Sequence, residues 1–246
     1  MELTIDFSPT TYDAVRRECE KIFQKVLDEI SATITKLRML PAISAAIWQP
    51  VVDWLGDAAA EVGSFLKDLL QGIAAPVMFF TYAWRWIEDI GNPAATTEAN
   101  ISPTAGNLPV FRNLDVWTGS AGDAYRHAVA TQTTAANLVS SRAWYVAATL
   151  GTLAAAGLAF YAALVKIGVE LAAGITAATA TTVATVGVAA PTIPAVIIAC
   201  VGELVVTAGV MAGVQAGSAF ALSQWSTEGG VFVGDSWPAG TADFAG

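Results

Sequence analysis

Charge is scarce in this sequence. Asp, Glu, Lys and Arg make up 13% of its 246 residues, about half the share usual in soluble domains. The chain is therefore either unusually rich in core or built to meet lipid along part of its length. Histidine occurs once, at His127, and cysteine twice, at Cys19 and Cys200. So few ligands cannot form the clustered tetrahedral set that zinc requires. No Ser-His-Asp or Cys-His arrangement suggests itself around His127, which sits beside Arg126. A disulfide between the two distant cysteines does not follow from their spacing, and two buried free thiols are expected. Alternating apolar and polar runs are lacking, so no strand is expected, nor a phosphate-binding loop that would follow one. The opening MELTIDFSPTTYD has neither a basic nor an apolar stretch of the secretory kind. Any export is expected to use a route that does not read such a peptide. These absences point away from an enzyme, a metal or a cofactor.

The net charge is -9 and the pI near 4.5. An acidic surface repels phosphate, which argues against nucleic acid, and taken over the whole chain it also disfavours docking on anionic lipid. The distribution is more telling than the total. Residues 1–142 hold 11 of the 12 basic and 16 of the 21 acidic residues, whereas from Ala143 to Thr227 the only charges are Lys166, Glu170 and Glu203. The division expected from this is an amphipathic helical part over 1–142, an apolar helical part over 143–227, and a flexible tail over 228–246.

Apolar residues at Tyr12, Val15, Cys19, Ile22, Val26, Ile30, Ile34 and Leu37 recur every three or four positions. That period predicts a helix from about Pro9 to Leu40 with one apolar stripe. Pro41 breaks it, residues 42–48 suit a short turn of helix, and Pro50 is expected to open a second helix through Gly72, with Val51, Trp54, Leu55, Val62, Leu66 and Leu69 inward. Pro76 then starts PVMFFTYAWRWIEDI, in which Phe79, Phe80, Tyr82, Trp84 and Trp86 form an aromatic cluster. It reads as core or, alternatively, as a membrane-interface belt or docking patch. Gly91, Asn92 and Pro93 are expected to stop this helix and begin a long loop over 91–116.

Helical signals return at Trp117. The run Trp117-Thr118-Gly119-Ser120-Ala121-Gly122-Asp123-Ala124-Tyr125 places a bulky indole and a permissive glycine just before a helix that starts on small residues. Gly accepts a positive φ where a Cβ would clash, and Ser120 can cap the helix, with Asp123 three residues on. This segment resembles the signature of the WXG-type proteins exported by type VII (ESX) secretion systems. The resemblance implies an all-α helical bundle or hairpin turning at Trp117 and Gly119, with Ala121, Ala124 and Tyr125 on the entering face of the second helix. It further implies a secreted or envelope protein that works with a protein partner or as a homo-oligomer, and with the secretion machinery. Substrates of this pathway often carry Tyr-x-x-x-Asp/Glu. None of the five tyrosines here has an acid at that spacing, so a partner would have to supply that signal.

Beyond the hairpin, Ala143–Val165 is long enough to span a bilayer. Leu171–Gly202 is uncharged but broken by Pro191 and Pro194, and Leu204–Thr227 is uncharged again. The Thr- and Val-rich stretch 176–190 fits helix or turn. Ala, Gly and Thr dominate, so these segments permit insertion without driving it. Gly209, Gly213 and Gly217 form a GxxxGxxxG stripe along which a helix can approach another closely, in a membrane or inside a bundle. Three readings stand open on the sequence: an exported partner-binding protein that enters membranes, a resident membrane protein with two or three C-terminal helices, and a soluble partner-binding bundle.

Overall fold

The structure is a computed structural model that describes residues 9–72, 74–101, 119–227 and 237–238. The fold is all-α: six α-helices, and no strand among the described residues. They are α1 (Pro9–Arg38), α2 (Ala45–Gly72), α3 (Ala75–Arg85), α4 (Asn92–Ile101), α5 (Ser120–Ala184) and α6 (Thr192–Thr227). The chain divides into two compact units, each assembled from separated stretches. The first holds residues 1–78 with 153–215, the second residues 79–152 with 216–246. The step in charge density at 142/143 is not where either unit ends.

In the first unit the predicted stripe of α1 is the buried one. Cys19, Ile22, Val26, Ile30 and Leu37 are buried, with Phe23 and Thr33 beside them. This face packs against α5 in parallel. Ile22 lies against Gly168, and the Thr33 and Thr179 hydroxyls share a buried hydrogen bond of 2.8 Å eleven residues further along both helices. A core of Val26, Ile30, Leu37, Trp48, Val51, Val52 and Leu55 closes over Leu171, Ile175 and Ala178 of α5 and Ile193 and Ile197 of α6. A smaller cluster joins Cys19 and Phe23 to Tyr161 and Leu164.

Two boundaries differ from expectation for identifiable reasons. Ser44 Oγ donates to the Pro41 carbonyl at 3.1 Å, a 3-10 turn spans Ala42–Ser44, and α2 already starts at Ala45. Pro50 thus lies inside the helix rather than opening it, at the loss of one backbone hydrogen bond. The side chains of Tyr12, Val62, Leu66 and Leu69 lie outside those described.

The second correction concerns the loop expected over 91–116. Residues 92–101 are helical. Gly91-Asn92-Pro93 does not stop the chain, because the preceding turn widens. Trp86–Gly91 is a π-helical turn in which the Asn92 N–H reaches back to the Ile87 carbonyl. A wider turn eases the Pro93 ring past the backbone it would otherwise strike. Thr96 and Thr97 then donate to the Asn92 and Pro93 carbonyls, both at 2.9 Å. Residues 102–116 lie outside the described structure. The aromatic segment is only partly a core: Phe79, Phe80 and Trp86 are half-buried, while Tyr82 is exposed and Trp84 is 58% exposed. Neighbouring residues of a helix point in different directions, so five aromatics within eight positions cannot all face one way.

The stretch 176–190 is helix to Ala184 and then turn to Pro191. In that turn Val186 has φ +51° and Gly187 φ +93°. Glycine is unstrained there, but for a β-branched residue the left-handed region is an outlier costing on the order of 1–3 kcal/mol. A Cβ on Gly187 would sit 3.0 Å from Trp48 Cδ1 and 3.1 Å from Ser44 Oγ, so the turn is seated directly on the corner between α1 and α2. The buried Trp48 indole N–H has no hydrogen-bond partner among the described residues.

Candidate functional site

The predicted corner begins with Gly119. Its φ is +102°, so the left-handed conformation expected of a glycine at this place is present. Its carbonyl accepts from the Asp123 N–H at 3.1 Å, and α5 begins at Ser120. Gly119 therefore holds the N-cap place, and Ser120 is the first helical residue rather than the cap. Trp117 lies outside the described residues, as do the side chains of Ala121 and Tyr125; Ala124 is half-buried.

What flanks the corner is a pair of antiparallel helical stretches in the second unit. Asn137 donates to Glu98 Oε1 at 3.0 Å, and the Thr133 hydroxyl reaches the Ile101 carbonyl at 3.5 Å. A Cβ on Gly91 would lie 3.5 Å from Ala143 Cβ. Rising numbers on one side meet falling numbers on the other. Ile101 and Thr133 stand equally far in sequence from residue 117, as do Gly91 and Ala143. From the tail, the Pro238 carbonyl accepts from Gln132 Nε2 at 3.4 Å.

The second candidate is α6. Its apolar residues surround the helix rather than forming a stripe. The most apolar 18-residue stretch within Thr192–Gln224 has a mean hydropathy of 2.2, and only 6% of it is buried. Ile198, Val205, Val206, Val210 and Phe220 are all exposed. Each forgoes on the order of 1–2 kcal/mol of transfer free energy while it faces water. Gly209, Gly213 and Gly217 are exposed too, and a Cβ at any of them would meet nothing within 4 Å. Close helix approach occurs instead at three glycines of α5 that the sequence reading missed. A Cβ at Gly157 would come within 2.5 Å of Pro76, at Gly174 within 2.6 Å of Val196, and at Gly168 it would strike Ile22. The available signal was their place among alanines in an uncharged helix, which marks small-residue faces without the four-residue repeat.

Between α5 and α6 lies an open apolar hollow of about 270 Å³ lined by Ala156, Ala159, Phe160, Val206, Val210 and Met211, among others. Its Thr207 hydroxyl is bonded to the Glu203 carbonyl at 2.8 Å and offers no free donor. Lys166 and Glu170 pair at 3.5 Å on the exposed side of α5. Compared with protein-family models, with curated proteins and with solved structures, the chain matches none of them.

Chemistry is sparse among the described residues. No group of three or more His, Cys, Asp or Glu side chains comes together, and His127 is exposed. Cys19 and Cys200 are free thiols. Cys19 is fully buried, and that burial, with Glu18 and Glu20 nearby, pushes its thiol up to about 11. It is held protonated and unreactive at neutral pH.

Two helices, Gly122–Ala184 and Thr192–Gln224, are long and apolar enough to cross a membrane. At 1.5 Å per residue α6 is about 50 Å long, more than the ~30 Å of a hydrocarbon core.

Proposed function

We propose that this chain is a non-enzymatic helical protein of the type VII secretion class that acts by lodging α6 in a lipid bilayer, together with a protein partner or further copies of itself. The observation that carries the membrane part is the contrast, in the most apolar 18-residue stretch of α6, between a mean hydropathy of 2.2 and 6% burial. A helix that is apolar all round belongs in a protein core or in lipid, and this chain supplies α6 with little core. Exposed Tyr82, Trp84 and Trp144 suit the headgroup level, where amphipathic rings settle.

The export part is supported by the Trp117–Gly119 signature, by the left-handed Gly119 at the start of α5, and by the antiparallel pairs on either side of it. In this reading the second unit is the surface recognised during export and α6 is the element that acts at the membrane.

Two experiments test the parts separately. Purified protein mixed with liposomes and floated on a gradient is expected to rise with the lipid and to resist carbonate extraction; release by carbonate would remove the membrane reading. In the producing cell, loss of the secretion ATPase is expected to empty the culture filtrate of the protein. Unchanged extracellular levels would reject the export route. Recovery in the cell's own membrane fraction instead would favour a resident membrane protein, a reading that the two membrane-length helices also support.

A further inference from the structure

The end of the first unit where the α5–α6 turn sits on the α1–α2 corner combines two features. Its outermost side chains are large and apolar. Ile43 is 93% exposed, Met39 73% and Val188 65%, and Val186 is exposed as well. They come from two separate stretches that meet where Gly187 packs against Leu40, Ser44 and Trp48. The two stretches of chain that form it carry only positive charge. Between Glu29 and Asp53 the chain carries just Lys36 and Arg38, and between Glu170 and Glu203 it carries none. Both cations are exposed, and neither has an ion-pair partner among the described residues. A chain of net charge -9 thus presents one end that is apolar at the tip and cationic behind it.

We propose that this tip is a docking surface for an anionic lipid bilayer: Met39, Ile43, Val186 and Val188 enter the interface while Lys36 and Arg38 meet headgroup phosphates. The proposal deepens the membrane reading of α6 and rests on it. The charge pattern selects lipid as the occupant. A cationic collar around an apolar tip complements a surface with negative headgroups above hydrocarbon, and the overall acidity keeps the rest of the molecule off that surface. The left-handed Val186 fits the same use. Gly or Asn would hold that turn without strain, whereas valine adds an apolar group at the outermost point. Docking here also brings the uncharged start of α6, Thr192–Gly202, to the lipid.

The test uses the full chain and flotation with two kinds of vesicle, phosphatidylcholine alone and phosphatidylcholine with phosphatidylglycerol at 3:1. Lys36→Gln with Arg38→Gln is expected to weaken binding to the anionic vesicles by roughly 25-fold, about fivefold per cation, and to leave binding to the neutral vesicles unchanged. Ile43→Glu with Val188→Glu is expected to lower binding to both at least tenfold without changing the melting temperature. As an independent measurement, an environment-sensitive dye on Ile43→Cys, with Cys19→Ala and Cys200→Ala, should shift to the blue on anionic vesicles. Tip variants that float like wild type, with no dye shift, would overturn the docking surface and leave the α6 reading standing. Wild-type protein that floats with neither vesicle would overturn both. If Ile43→Glu with Val188→Glu instead converts a dimer to a monomer in sedimentation, the tip is covered by a second copy, and the lipid assignment is wrong.

Discussion

The second half of α5 and the whole of α6 are both apolar and almost uncharged, yet the molecule treats them in opposite ways. From Gly157 to Thr182 α5 is gripped. Its Leu171, Ile175, Ala178, Thr179 and Thr182 are buried, and its glycines sit where Ile22, Pro76 and Val196 press closest. Past Ile197, α6 has few buried positions, and its glycines face open space. What separates a core helix from an unpartnered one is thus not how apolar it is but whether its small residues lie opposite a neighbour's bulk.

The comparison can be broken most forcefully by truncating one apolar residue in each helix. Ile175→Ala should cost about 2–5 kcal/mol of unfolding free energy, whereas Val205→Ala, already exposed, should fall within about 0.5 kcal/mol. Denaturation in detergent-free buffer measures both, and equal losses would mean that α6 is packed after all. A finer version uses the glycines. Gly168→Ala should destabilise by about 1–3 kcal/mol because Ile22 must move. Gly213→Ala should instead gain up to about 1 kcal/mol from helix propensity alone, so the two shifts in melting temperature should have opposite signs.

The turn between the two helices offers a smaller effect. Val186→Gly relieves the left-handed strain and should stabilise the protein by about 1 kcal/mol. A destabilised variant would show that valine's contacts there outweigh its backbone. A further effect is one of pH, confined to α1. The folded Cys19 thiol is held at about 11, above its unfolded value, so its protonated form stabilises the fold. That contribution is complete below the unfolded pKa and drains away as pH rises from about 9 towards 11. Stability measured across that window should fall more steeply for the native chain than for Cys19→Ala, and parallel curves would count against it.

Much of the fold was legible because its signals are local. The three- and four-residue steps of α1 announce a buried face, and Cys19, Ile22, Val26, Ile30 and Leu37 occupy it. Proline positions were less reliable guides. Pro50 and Pro93 read as boundaries, but one lies within α2 and the other follows a widened turn, because a helix held by its neighbours tolerates a missing hydrogen bond. The parallel seating of α1 on α5, and the choice of Gly157, Gly168 and Gly174 as contact points, depend on Pro76, Ile22 and Val196 in other helices. No window of sequence contains that information. Of the candidate site, the left-handed Gly119 could be anticipated from Trp117-Thr118-Gly119. The exposed tip could not, since Ile43 and Val188 come together only through the turn at Gly187.

The threonines of the apolar helices carry a consequence of their own. Thr149, Thr152, Thr176, Thr181, Thr182 and Thr207 each donate their hydroxyl to the carbonyl four residues back, at 2.8–3.0 Å. A hydroxyl folded onto its own backbone asks nothing of its surroundings, so the side chain offers neighbours little more than a methyl group. These threonines leave no donor stranded when water is withdrawn. They can change solvent without giving up those hydrogen bonds.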